Sequence, residues 1–139
     1  MCLPFLALVA GGIVYLLWRS TTLWMFGWCK ALGLGSHLAS LRTIAEQYEP
    51  PHWMLYSFPD GAWVFAGIMV MRDIWASGKG AMKSFWVFVI PFLAISSEVG
   101  QLYHFVPGDF DFNDLVTYVI AVSLALLIKL TSTQYDNAM

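Results

Sequence analysis

Two pairs of polar residues, each set three apart, stand out in an otherwise apolar chain: Glu98 with Gln101, and Asp111 with Asp114. On a helix, residues three apart share a face, so each pair presents its side chains together. Asp109 comes just before the second pair, His104 lies between the pairs, and Asp60 stands well upstream. Grouped carboxylates with no Lys or Arg nearby suit three kinds of chemistry. They hold a hard divalent cation. They carry a proton on a carboxyl whose neighbours repel its charge. Or they accept hydrogen bonds from a polar headgroup.

Each residue also has a structural role open to it. Asp111 as an N-cap and Asp114 at the third helical position would satisfy free backbone N–H groups and the dipole at a helix start. Asp60, three residues after Ser57, fits a capping box. Glu98 fits a carboxylate at headgroup level facing water, and His104 an interfacial loop residue. Ser96 and Ser97 carry no mark of activation and suit hydrogen bonds within their own helix.

Several classes fall away. No Ser/His/Asp nucleophile spacing, phosphate-cradling glycine loop or haem-attachment CxxCH is present. Cys2 and Cys29 belong to no CxxC or Cys/His pattern, so neither a metal centre nor a cofactor is expected. A net charge of −2 gives no basic surface for nucleic acid. The N-terminus lacks the leading basic residues and small-x-small site of a secretory signal, which makes the first apolar segment a retained helix.

Composition fixes the solvent of the elements that must position these groups. Charged residues make up 12% of the 139 and hydrophobic ones 59%, against roughly a quarter charged in soluble domains. The chain therefore reads as an all-α polytopic integral membrane protein of one domain. The expected architecture is a four-helix transmembrane bundle with an interfacial amphipathic segment after the first helix. The spans fall at 3–19, 58–75, 84–102 and 114–130. The second opens at Ser57-Phe58-Pro59-Asp60 and is short, so Arg72 must reach the headgroups. The third contains Pro91, which membrane helices tolerate. The fourth begins at Asp114 and carries Lys129 near its end, before a polar tail.

Between the first two spans, Leu38, Leu41, Ile44 and Ala45 recur at helical spacing with His37, Arg42 and Glu46 among them. Gly33 and Gly35 break the chain before that run and Pro50-Pro51 stops it. This suits a helix lying on the membrane surface rather than a fifth crossing. The short link before the third span makes spans two and three antiparallel neighbours. The short acidic loop after it brings Glu98 and Gln101 beside Asp111 and Asp114, with Asp60 on the same side. Arg72, Lys79 and Lys83 place the loop between spans two and three in the cytoplasm, and the acidic loop outside.

The string Glu98-Val99-Gly100-Gln101, followed by Pro107-Gly108-Asp109-Phe110-Asp111-Phe112-Asn113-Asp114, resembles the VanZ-like membrane proteins. The resemblance covers about the last third of the chain. It implies a four-helix membrane fold with an E-x-x-Q pair on the third helix and a D-x-x-D pair opening the fourth. Where that family has an Arg before its F-D pair, Gly108 and Asp109 stand here. Where it has an Asn one turn into the fourth helix, Tyr118 stands here, and Ala121 replaces a frequent Gly. The resemblance implies that Glu98, Gln101, Asp111 and Asp114 are functional positions; Asp60, on the same side, and Tyr118, at the departing position, join them as candidates. The expected setting is the bacterial cytoplasmic membrane, multi-pass, with membrane lipids as partners and an envelope lipid, headgroup or cation as ligand. The rival functions are an accessory subunit bound to other membrane proteins and a small transporter or proton pathway.

Overall fold

A computed structural model describes residues 2–78 and 80–136, with side chains described as far as Ile128. The regular structure of the described residues is all helical: α1 (Cys2–Trp18), α2 (Trp24–Ala31), α3 (Gly35–Ala45), α4 (His52–Ile74), α5 (Ala81–Leu102) and α6 (Phe112–Asp136). Lys79, one of the residues that orient the chain, and the side chain of Lys129 lie outside the described residues. Helices α4 and α5 are each long and apolar enough to cross a membrane.

Helix α4 begins six residues before the expected start of span two. Pro51 is extended, at φ −62° and ψ 150°, and serves as N-cap. Its 23 residues extend about 35 Å at the helical rise, enough for a hydrocarbon core of about 30 Å. The expected capping box is therefore absent. Ser57 is wholly buried, and Asp60 lies two turns inside the helix. Pro59 is an interior proline rather than a first-turn one. Its backbone packs against Gly11 of α1, where an added Cβ would come within 3.3 Å of the Pro59 Cα. The end of α6 moves as far, to Asp136 from the expected 130, while the remaining boundaries move less: α1 ends at Trp18, α5 starts three residues early and α6 starts at Phe112.

Helix α4 is the hub. It packs on α1, α5 and α6, and α5 also packs on α6. Tyr15 of α1 meets Asp60 while Arg19, just past the end of α1, lies over the Tyr56 ring, so α1 and α4 run antiparallel. Trp75 stacks on Trp86 at 6.2 Å and Gly67 faces Ile90, so α4 and α5 are antiparallel too. Gly61 faces Thr117 and Arg72 meets Ala125, which makes α4 and α6 parallel. The core holds Val64, Ile68, Val87, Tyr118, Ala121 and Ala125. Outside it, Phe5, Leu6, Phe92, Leu93 and Leu127 are all exposed, while Glu98, Ser57 and Arg72 are buried. Arg72 does not reach toward headgroups as the sequence suggested. Its Nη1 donates to the Ala125 carbonyl of α6 and to Met69 Sδ.

Helices α2 and α3 have 8 and 11 residues, about 12 and 16 Å of helix, so neither is long enough to cross a membrane. The break between them falls at Gly33, whose φ of +75° is left-handed. Helix α3 is fastened to the end of α1. Arg42 Nη1 donates to the Leu16 carbonyl at 2.7 Å, satisfying one of α1's last acceptors. Trp18 Nε1 donates to the carbonyls of Ala45 and Tyr48 at 3.2 Å each. Trp24, Trp28, Leu41 and Ile44 stay exposed on this segment.

Candidate functional site

The ends of α1 and α5 and the starts of α4 and α6 meet at one end of the helical body, and the polar residues gather there. Asp111 is the N-cap of α6. Its Oδ1 accepts the Asn113 backbone N–H at 2.8 Å and the Asn113 side-chain amide at 2.9 Å. In a capping box the carboxylate at the third helical position would reach back to the N-cap's own N–H. Here that N–H donates instead to Glu98 Oε2 on α5, at 3.3 Å. Asp114 is thereby released from capping, and its buried Oδ1 has no partner.

The loop after α5 is folded onto the helix end. Phe105 N donates to the Gly100 carbonyl at 2.8 Å, and His104 takes a left-handed φ of 59°. Gly108, at φ +130°, sits so close to the Gln101 amide that a Cβ there would strike it. The loop therefore needs glycine for both its dihedral and its room. Gln101 is held under this turn with its Oε1 buried and unpartnered. On the α1 side, the Tyr15 hydroxyl donates to Asp60 Oδ1 at 3.4 Å.

Asp60, Glu98, Gln101, Asp114 and Tyr118 all line one cavity of about 360 Å³. Five of the six positions singled out from sequence thus converge. The sixth, Asp111, does not line it, because its carboxylate is engaged by Asn113. His104 is exposed on the loop. Sequence reasoning passed over Trp63 and set Ser97 aside, although both line the cavity, as does Asp109. The signal was present: Asp60, Trp63 and Val64 fall at i, i+3 and i+4, and Ala94, Ser97, Glu98 and Gln101 at i, i+3, i+4 and i+7, one face of each helix.

Glu98 is only 4% exposed. One of its oxygens accepts the Asp111 N–H, and the other makes no hydrogen bond among the described residues. Neither Lys nor Arg lines the cavity, so its charged groups are all carboxylates, set among the neutral donors of Trp63, Ser97, Gln101 and Tyr118. Among the described residues no group of three or more His, Cys, Asp or Glu is placed to hold a metal ion. The carboxylates surround a space instead of closing on a point. No family model matches the chain, and neither a curated protein nor a solved structure was found to match it. The chemistry of the cleft has to be drawn from its own side chains.

Proposed function

We propose that this chain is a VanZ-like, multi-pass protein of the bacterial inner membrane, in which α1, α4, α5 and α6 form a four-span bundle. Helices α2 and α3 lie on its outer surface. The cleft at the outer end holds a lipid headgroup that carries positive charge and donates hydrogen bonds. Support for membrane immersion comes from the exposed Phe and Leu side chains around buried polar groups, since a water-soluble body would expose its charges and cover such residues. The antiparallel order of α1, α4 and α5 and the shortness of α2 and α3 fit four crossings.

The observation that carries the ligand is the pair of buried, unpartnered acceptors, Asp114 Oδ1 and Gln101 Oε1, in a cavity with no cationic side chain. Leaving such atoms unpaired costs about 1–3 kcal/mol each, and an ammonium group supplies the missing donors. A bare metal ion fits less well, because the carboxylates are spread around the cavity. A proton pathway fits less well, because the acidic groups lie at one end and not across the midplane.

The test is native mass spectrometry of the detergent-purified chain with two lipids of equal chain length, dioleoyl phosphatidylethanolamine and dioleoyl phosphatidylglycerol. The amine-headed lipid should bind more tightly. Glu98→Gln, whose amide oxygen still accepts the Asp111 N–H, should weaken that binding about tenfold, as loss of one charge-assisted hydrogen bond does. Equal binding of both lipids, unchanged in the variant, would exclude this ligand.

One observation favours a second reading, an accessory subunit of a larger membrane complex. An apolar groove of about 230 Å³, with Ala7, Gly61, Ala62 and Ala121 among its walls, opens between α1 and α6. Small residues let another helix approach closely in a membrane. A chain that leaves native membranes as a lone monomer in gentle detergent counts against that reading.

A further inference from the structure

The headgroup cleft does not end at its polar wall. Asp60 and Trp63 line it on one side and, on the other, help to line a second cavity of about 500 Å³ between α1 and α4. The second cavity is formed by Leu8, Gly11, Gly12 and Tyr15 of α1, Met25 of α2 and Pro59 of α4. Its polar end is the hydrogen bond from Tyr15 to Asp60. Its far end is Leu8, seven residues back along α1, about 10 Å deeper at the helical rise. The space therefore runs from the level of the carboxylates down into the apolar layer.

We infer that this second cavity is the seat of an acyl chain, so that the ligand is a whole amine-headed phospholipid held at both ends. The inference rests on the headgroup reading above and adds the chain-binding groove and the route of access. Helices α1 and α5 both lie against α4 without packing extensively on each other. Trp63 stands in that gap, 68% exposed, between the two cavities. A lipid moving sideways from the bilayer would pass between α1 and α5, set its ammonium among Glu98, Gln101 and Asp114, and lay a chain along Gly11 and Gly12. An acidic wall joined to an apolar groove matches a ligand with a cationic head and a hydrocarbon tail. The same acidic wall disfavours a lipid whose head is purely anionic.

The two glycines differ in a way that makes the groove testable. A Cβ on Gly11 would press on Pro59 and Ala62, whereas a Cβ on Gly12 meets nothing within 4 Å. Gly12 can therefore take a side chain that fills the groove and spares the helix packing. The experiment measures binding of dioleoyl and dihexanoyl phosphatidylethanolamine to the purified chain by native mass spectrometry, with thermal stability followed in parallel. Wild type should prefer the long-chain lipid by about tenfold or more, since each buried methylene contributes. Gly12→Leu should abolish that preference while retaining the short-chain lipid and the melting temperature, and Gly12→Ala should have a smaller effect in the same direction. If Gly12→Leu leaves long-chain binding intact, the groove is not the chain's seat and the headgroup reading stands alone. If neither lipid binds the wild type, both readings are overturned together.

Discussion

Glu98 and Arg72 are both buried charges in the helical body, 4% and 8% exposed, yet they sit in opposite surroundings. Glu98 lies at the end of α5 beside a cavity of about 360 Å³ that no Lys or Arg lines, with one oxygen free of partners among the described residues. Arg72 lies near the other end of α4, about 18 Å from Asp60 along the helix. It is pressed among buried Ile68, Met69 and Ala125, and it lines none of the cavities described above. Its guanidinium donates to a carbonyl of α6 and to a thioether of its own helix. A buried charge in an apolar helix therefore does not by itself mark a ligand site. Room does: Arg72 also keeps an unpartnered buried atom, its Nε, but no cavity opens beside it. Without room the charge is a clamp, here joining α4 to α6.

The comparison breaks most readily at the clamp. Arg72→Ala removes its hydrogen bonds and leaves a void in the core, so it should cost about 2–5 kcal/mol, read as a lower melting temperature in detergent. Phosphatidylethanolamine binding by the folded fraction should not change. Arg72→Met, which keeps most of the volume, should cost less than Arg72→Ala, since apolar replacement of a buried charge is often tolerated. An Arg72→Ala chain as stable as wild type would mean that the guanidinium joins nothing. At the cleft the pattern should reverse, with Glu98→Gln changing ligand affinity and sparing stability.

A smaller effect sharpens the boundary of the site. Asp111→Ala removes the N-cap of α6 and should cost about 1 kcal/mol of stability, because Asn113 loses its acceptor. It should leave lipid affinity within twofold or so, since the backbone N–H that meets Glu98 remains. A large loss of lipid binding in this variant would place Asp111 inside the cleft after all.

The convergence of Glu98, Gln101 and Asp114 was legible in the sequence because a short loop leaves two helix ends no other place to go. Asp60 was legible for the cluster it joins but not for its position in the helix. Pro59 reads as a first-turn proline, whereas α4 carries it in its interior, packed against Gly11 of α1. The fate of Arg72 was hidden because its acceptor, the Ala125 carbonyl, belongs to a helix more than fifty residues away. Local pattern carries no record of such a partner. Asp111 and Asp114 look alike in sequence as a D-x-x-D pair. What separates them is Glu98, which takes the N–H that Asp114 would otherwise have capped. The fastening of α3 to α1 through Trp18 and Arg42 was likewise beyond any local signal.

The whole account depends on four crossings that put the cleft and the α4–α5 turn on opposite sides of the membrane. The direct measurement is cysteine labelling with an impermeant maleimide on spheroplasts, in a chain whose Cys2 and Cys29 are replaced by Ala. Single cysteines at Gln47, Ser77 and Phe105 report the α3–α4 link, the α4–α5 turn and the acidic loop. Gln47→Cys and Phe105→Cys should label from outside, and Ser77→Cys only after lysis. Labelling of all three from the same side would contradict the four-span arrangement.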